Sequence, residues 1–249
     1  MKILGIIPAR YESSRFPGKP LVDILGKTMI QRVYEQASKA KSLSKVVVAT
    51  DDQRIFDNIE AIGGTAIMTG VNHTNGTERA YEALEKMGGA EKYDYVVNIQ
   101  GDEPFVEPAL IDSLAALLDY KTEIATAAKK IEDNHSLFDA NIVKVVLTMR
   151  KQALYFSRQA IPHVRGVEEN EWLNHASFYK HIGLYAYRSD VLQQIIRLPV
   201  SPLENTEKLE QLRWLGYGYK ICATITDYES IGIDTPEDLE KAIKILSSK

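Results

Sequence analysis

The 249 residues suffice for one large domain, at roughly 100–200 residues per domain, and for a sizeable buried core. A composition of 45% hydrophobic and 26% charged residues is that of a globular protein and excludes disordered, collagen-like and fibrous classes. The excess of 34 Asp and Glu over 30 Lys and Arg gives a net charge of −4, which argues against nucleic acid as the main partner but leaves room for a small anion held locally.

The chain opens with an apolar run, Ile3–Ile7, cut short by Pro8. It is too short for a signal peptide and reads as a buried strand. The loop that follows, Pro8 to Pro20, holds Arg10, Arg15 and Lys19 among small residues and prolines. Open α/β sheets bind ligands in loops at strand carboxyl ends, and this loop can wrap a polyphosphate with backbone N–H groups and cations. The competing reading is an ordinary solvated basic loop. Gly26-Lys27-Thr28 imitates the end of a Walker A loop, but the glycine required five residues earlier is Leu21. Ile30, Val33, Ala37 and Ala40 fall on one helical face.

Val46–Thr50 reads as a second strand, and Asn75-Gly76-Thr77-Glu78-Arg79 opens a helix whose N–H groups could meet a base or phosphate or simply be capped. Tyr95–Ile99 is a third strand, followed by Gln100-Gly101-Asp102. The carboxylate is placed either for Mg²⁺ on a nucleotide or for turn geometry. No G-x-G-x-x-G follows any strand, so a dinucleotide site has no support. Residues 133–179 are less regular, with three of the five histidines, and read as an insertion on the main sheet.

Ile142–Leu147, Ile182–Tyr187 and Ile221–Ile225 complete the predicted strands. His181 and Tyr185 share a face by period two. Cys222, the one cysteine, reads as a buried strand residue and excludes an internal disulfide. Ser201-Pro202-Leu203-Glu204 is a capping box. On that helix Leu203, Leu209 and Leu212 mark the buried side, while Glu207, Glu210 and Gln211 share a flank that is either solvated or offered to a polar substrate. Asp234, before Thr235-Pro236-Glu237-Asp238, is either helix-start chemistry or a metal ligand brought to Asp102 by the fold. Leu239, Ala242, Ile243 and Leu246 line the last helix. Strands alternating with helices predict an α/β fold with a mostly parallel central sheet flanked by helices, in one domain spanning 1–249. No apolar run reaches the ~20 residues of a membrane span, and the reading is a soluble, cytoplasmic protein.

Taken in order, PARYESSRFPGKPL (8–21), NGTER (75–79), NIQGDEP (98–104), NIVKVV (141–146), ALYFSR (153–158), HIGLYAYR (181–188), SPLE…LEQLR (201–213) and GIDTPEDLE (232–240) closely resemble the 3-deoxy-D-manno-octulosonate (Kdo) cytidylyltransferases over nearly the whole chain. One departure is Asn75, where that family usually has Ser. The resemblance implies a nucleotide-diphospho-sugar-transferase-like fold with a smaller mixed insertion, at 133–187, serving substrate and dimer contacts. It implies an Mg²⁺-dependent, homodimeric enzyme joining CTP and Kdo into CMP-Kdo and pyrophosphate for lipopolysaccharide synthesis. By the same resemblance Pro8, Ala9, Arg10, Arg15, Lys19, Asn75, Gly76, Arg79, Gln100 and Gly101 bind the nucleotide. Lys19, Asp102 and Asp234 are the catalytic set, the two aspartates as metal ligands, and Gln100, Arg158, His181, Tyr185, Glu210 and Gln211 contact the sugar. The alternatives are a cytidylyltransferase for 8-amino-Kdo or a sialic acid, and a non-catalytic nucleotide-binding regulator.

Overall fold

The computed structural model describes residues 1–12, 16–229 and 232–247. Nine strands form one sheet: β1 (Ile3–Ala9), β2 (Lys45–Thr50), β3 (Ala66–Met68), β4 (Tyr95–Asn98), β5 (Ile124–Lys130), β6 (Lys144–Leu147), β7 (Ala153–Ser157), β8 (Tyr179–Arg188) and β9 (Ile221–Ile225). The helices used below are α1 (Met29–Ala37), α2 (Gln53–Ala61), α3 (Gly76–Lys86), α4 (Pro108–Ala115), α5 (Asn134–Phe138), α6 (Ser189–Ile195), α7 (Pro202–Glu207), α8 (Gln211–Gly216) and α9 (Pro236–Ser247).

The strand order is β9-β5-β8-β4-β1-β2-β3, with the β6–β7 hairpin attached to β8. All strands of the main path are parallel to β1 except β8, which runs antiparallel between β4 and β5. The chain leaves β1 toward β2 and β3, then returns to place β4 on β1's other side. The carboxyl ends of β1 and β4 therefore flank a topological switch point, where open α/β sheets form a ligand crevice.

Period-two alternation along β1 splits the core into two layers. Ile3 and Ile7 pack with α1, α2 and α4, while Leu4 and Ile6 pack with α3, α6 and α8. Ile30, Val33 and Ala37 of α1 are fully buried on the predicted face, and Ala40 follows just beyond the helix. A third, smaller cluster joins Ile24, Met29, Ile233 and Ala242, so the segment carrying Asp234 is anchored by its neighbour. Ile131, Leu137, Trp172 and Phe178 make a fourth cluster, beneath the irregular chain around α5. Among the described residues no helix is long and apolar enough to cross a membrane.

All six predicted strands are present, and three of the nine strands of this sheet were not predicted. β5 reads IATAAKK, whose alanines carry no strand signal of their own, yet it lies buried between β8 and β9. β3 and β7 are short. Cys222 is on its predicted strand but half-buried, because β9 is the sheet's edge. The helix opened by Ser201 is not continuous. It stops at Lys208, which adopts a left-handed conformation (φ 54°), and α8 restarts at Gln211. Leu203 is therefore exposed, and Glu207, Glu210 and Gln211 do not share one flank.

The capping box itself forms, with Ser201 Oγ accepting from the Glu204 N–H at 3.2 Å and the Glu204 carboxylate accepting from the Ser201 N–H at 3.3 Å. The same carboxylate receives a two-pronged bond from Arg213, at 2.7 and 2.5 Å. Ser201→Ala is expected to lower the unfolding free energy by about 1 kcal/mol, read as a lower urea midpoint at unchanged slope. An unchanged midpoint would show that the cap is redundant with the Arg213–Glu204 pair.

Candidate active site

Three loops converge on a cleft of about 300 Å³ at the carboxyl ends of β1 and β4. The first follows β1. Tyr11 lies under the Arg54 guanidinium, 3.3 Å from ring centroid to carbon, and the Tyr11 carbonyl accepts from the Gly18 N–H at 3.0 Å. Gly18 has φ 73°, and a β-carbon there would meet the Tyr11 hydroxyl at 3.0 Å. This turn reverses the loop and delivers Lys19 inward. Arg15 lies outside the described residues.

The second loop follows β4. A β-carbon on Gly101 would lie 2.6 Å from the Pro8 carbonyl oxygen, so only glycine lets the two strand ends approach this closely. Asp102 follows, and its carbonyl accepts from the Ile233 N–H at 2.9 Å. That bond, with buried Ile233, fixes Asp234 beside Asp102. Lys19 Nζ bridges the pair, donating to Asp102 Oδ2 at 2.9 Å and Asp234 Oδ1 at 3.0 Å. Two carboxylates from loops 132 positions apart thus face one another across a cation (234 − 102). Two carboxylates completed by substrate phosphates are a donor set that suits Mg²⁺, and the ammonium between them marks the position as one built for positive charge.

The third loop opens α3. Asn75, the departure from Ser, still caps the helix: its Oδ1 accepts from the Glu78 N–H at 2.8 Å. Gly76 packs on Pro8. Arg79 reaches the cleft wall but is 3% exposed, and its guanidinium is committed to Asp51 Oδ2 at 2.6 Å and Thr69 Oγ1 at 2.5 Å. Its structural part is therefore to brace the wall.

Every described residue predicted on the nucleotide and metal side lines this cleft, from Pro8, Ala9 and Arg10 to Gln100, Asp102 and Asp234. The structure adds Glu12, Pro20 and His73, which the sequence reading missed. His73 pairs with Glu82. Although burial opposes it, bonds from Lys86, the Gly70 N–H and His73 hold Glu82 at about 2. The signal available was His73's place two residues before the helix-opening motif.

Of the predicted sugar residues Gln100 lines the cleft; Arg158, His181, Tyr185, Glu210 and Gln211 are not in its lining. Gln100 is the link, its Nε2 donating to the Gly183 carbonyl of β8 at 2.9 Å. His181 and Tyr185 share a face as predicted, their rings 5.2 Å apart, and Phe156 of β7 meets His181 edge-on at 5.1 Å. Desolvation there lowers His181 to about 3, so the imidazole is neutral, and its Nε2 lies 3.1 Å from Thr126 Oγ1. The Tyr185 hydroxyl is buried without a hydrogen-bond partner. Glu210 bonds the Thr77 hydroxyl at 2.8 Å, and Gln211 is buried at the start of α8.

Arg158 stands farther out, donating from Nε to the Glu207 carbonyl at 2.8 Å and from Nη1 to the Ala140 carbonyl at 3.2 Å. Glu207 does not extend the Glu210 flank as predicted. It is drawn away by Ser157 Oγ at 2.7 Å and the Arg158 N–H at 3.0 Å.

The cytidylyltransferase family model matches residues 4–221. A 3-deoxy-manno-octulosonate cytidylyltransferase of Parabacteroides distasonis is 54% identical over 254 residues, covering 100% of both chains. One of Bacteroides thetaiotaomicron is 51% identical over 253 residues, again covering 100% of both. The chain belongs to the 3-deoxy-manno-octulosonate cytidylyltransferase family. A solved structure of CMP:2-keto-3-deoxy-manno-octonic acid synthetase complexed with CTP has a TM-score of 0.92 and 41% identity, covering 100% of this chain and 99% of that one. A Leptospira borgpetersenii cytidylyltransferase, at 18% identity, TM-score 0.65 and coverage of 100% and 88%, shares the fold alone.

Gly101→Ala is expected to destabilise the protein by roughly 1–3 kcal/mol, through displacement of the Pro8 carbonyl, in thermal or urea denaturation. A wild-type midpoint would mean that the loop shifts freely. The His181 ring should show no titration between pH 5 and 8 by NMR. Its pKa is depressed from 6.5 in the folded state, so the stability tied to the neutral ring is complete above 6.5 and declines as pH falls toward about 3. A midpoint near 6.5 would refute the enclosure of this ring.

Proposed function

We propose that this chain is an Mg²⁺-dependent transferase that joins CTP and Kdo, giving CMP-Kdo and pyrophosphate for lipopolysaccharide synthesis. The observation that carries the reading is Lys19 held between Asp102 and Asp234 at the mouth of the β1–β4 crevice. A non-catalytic binder needs no paired carboxylates there. Family membership supplies the substrate class, and the likeness to a synthetase solved with CTP supports the nucleotide.

In the proposed reaction a Kdo hydroxyl oxygen bonds to the α-phosphorus, the bond from that phosphorus to the bridging oxygen breaks, and pyrophosphate leaves. The hydroxyl proton passes to solvent or to the departing phosphate. Positioning and charge stabilisation dominate such a transfer. Mg²⁺ held by Asp102 and Asp234 would polarise the phosphoryl oxygens and lower the pKa of the attacking hydroxyl. Lys19, released from the two carboxylates, would turn to the triphosphate, with Arg10 and Arg15 neutralising it from the same loop. Asn75 and Gly76 would seat the nucleotide at the N-terminus of α3. Gln100 would stand between the two substrates, its amide oriented by Gly183. His181, being neutral, would meet a sugar hydroxyl. Arg158, a planar cation, suits the sugar carboxylate.

The same reading makes the protein a cytoplasmic homodimer. CTP is a cytoplasmic substrate, and Met149 and Leu154, exposed around the β6–β7 hairpin, offer apolar surface to a second copy.

The test is pyrophosphate release with CTP, Kdo and Mg²⁺, run beside UTP and beside N-acetylneuraminate. Release with CTP and Kdo alone, abolished by chelator, is expected. Release with another sugar acid would move the substrate, and CTP binding without release would leave a regulator. Asp102→Asn and Asp234→Asn should each cost at least about a hundredfold in kcat. Near-wild-type turnover at saturating Mg²⁺ would overturn the metal assignment.

A further inference from the structure

Besides the Gln100–Gly183 bond, a second hydrogen bond joins the nucleotide side of the site to the sugar side. Thr77 is the second residue of α3, directly after Gly76, which packs on Pro8 at the cleft. Its side chain turns inward, and the residue is 4% exposed. Its hydroxyl donates to Glu210 Oε2 at 2.8 Å, across 133 positions of sequence. Glu210 occupies the break between α7 and α8, where Lys208 turns the chain.

Thr77 supplies the one side-chain hydrogen bond to the Glu210 carboxylate among the described residues. Arg213 is the nearby cation, but its guanidinium is forked onto Glu204. Burial raises the Glu210 pKa; Thr77 and Arg213 lower it, while Glu204 and Glu78 add to the rise. Around this bond the interior is polar and under-satisfied. Asn98 Oδ1 and the Tyr185 hydroxyl are buried without a hydrogen-bond partner among the described residues, and Tyr187 stacks on Tyr185. These groups otherwise sit in an apolar cluster with Leu212 and Trp214, where an unpaired polar atom is costly.

We propose that Thr77 is a positioning residue which sets the Glu210 carboxylate for the sugar acid and thereby couples nucleotide binding at the start of α3 to sugar binding. The proposal rests on the CTP and Kdo reading above. A nucleotide seated on Asn75 and Gly76 fixes the first turn of α3. Thr77 is the next residue of that turn, so its hydroxyl is fixed as well. Glu210 is then held and aimed before the sugar arrives. Because coupling is reciprocal, bound sugar tightens nucleotide binding by the same factor.

Thr77→Val removes the donor and keeps the volume; Thr77→Ser keeps the donor. In the full-length protein, Thr77→Val is expected to raise the KM for Kdo about tenfold, the effect of losing one hydrogen bond to a charged group. CTP affinity measured without Kdo should stay within about twofold, and Kdo should no longer tighten it. Thr77→Ser should restore both. Loss of the donor raises the Glu210 pKa, so the acid limb of Kdo KM against pH should move to higher pH. Of the groups facing Glu210, Arg213, Glu204, Glu78 and Tyr185 keep their contacts in this variant, while Tyr187 loses its own bond to Thr77, a loss that Thr77→Ser restores.

Glu210→Gln gives a second line should the valine variant fail to fold. It should raise the KM for Kdo and abolish the acid limb, and adding Thr77→Val to it should have little further effect. An unchanged Kdo KM and pH profile in Thr77→Val, or additive effects in the double variant, overturns the proposal. If the wild-type protein makes no CMP-Kdo, it is the underlying reading that fails instead.

Discussion

The Lys19 ammonium between Asp102 and Asp234 is the constraint around which the site is built. Two carboxylates drawn together repel one another, and neither loop would hold its place against that repulsion alone. The lysine removes the conflict at the cost of a tightly specified loop. Tyr11 and Gly18 shape that loop, and Gly101 lets the β4 end approach Pro8. Ile233, inserted with Ile24 and Met29, brings the third segment in. Each support is local in sequence, but together they depend on β1 and β4 being neighbours at the switch point of the sheet.

The lysine also implies an exchange. A divalent cation bound to both carboxylates and the ammonium between them compete for the same oxygens. On the proposed reading the triphosphate would resolve that competition by giving Lys19 a new anionic partner. Lys19 would, on that reading, keep the two carboxylates correctly spaced in the free protein until the substrate took the lysine over.

What could be read in the sequence follows the same division. The cleft side rests on contiguous motifs at strand ends and helix starts, where local chemistry declares itself: a basic turn after β1, Gly-Asp after β4, Asn-Gly-Thr at the start of α3. All of its described residues met. The sugar side rests on tertiary placement. The helix break at Lys208 has no glycine to announce it, and it separates Glu207 from Glu210 and sends them to different partners. The alanine-rich β5 carries no strand signal, yet it supplies Thr126, the neighbour of His181. Period two did place His181 against Tyr185, although the pairing of β8 with β5 shifts register between Ile182 and Tyr185.

That register shift bears on recognition of the sugar. It turns the Gly183 carbonyl out of the ladder toward Gln100, while Thr126 donates to the Ile182 and Leu184 carbonyls on either side. The irregular stretch of β8 therefore orients the Gln100 amide and encloses the neutral His181. With that imidazole uncharged, the enclosed ring of β8 would, on the proposed reading, suit a hydroxyl better than a carboxylate. On the proposed reading the acid group of the sugar would be met at Arg158. Its carbonyl partners leave the guanidinium's charge uncancelled, and it stands outside the aromatic cluster where desolvation would be costly. On that reading, selectivity for a polyhydroxylated sugar acid would follow from separating the places where the pocket meets hydroxyls from the place where it meets charge.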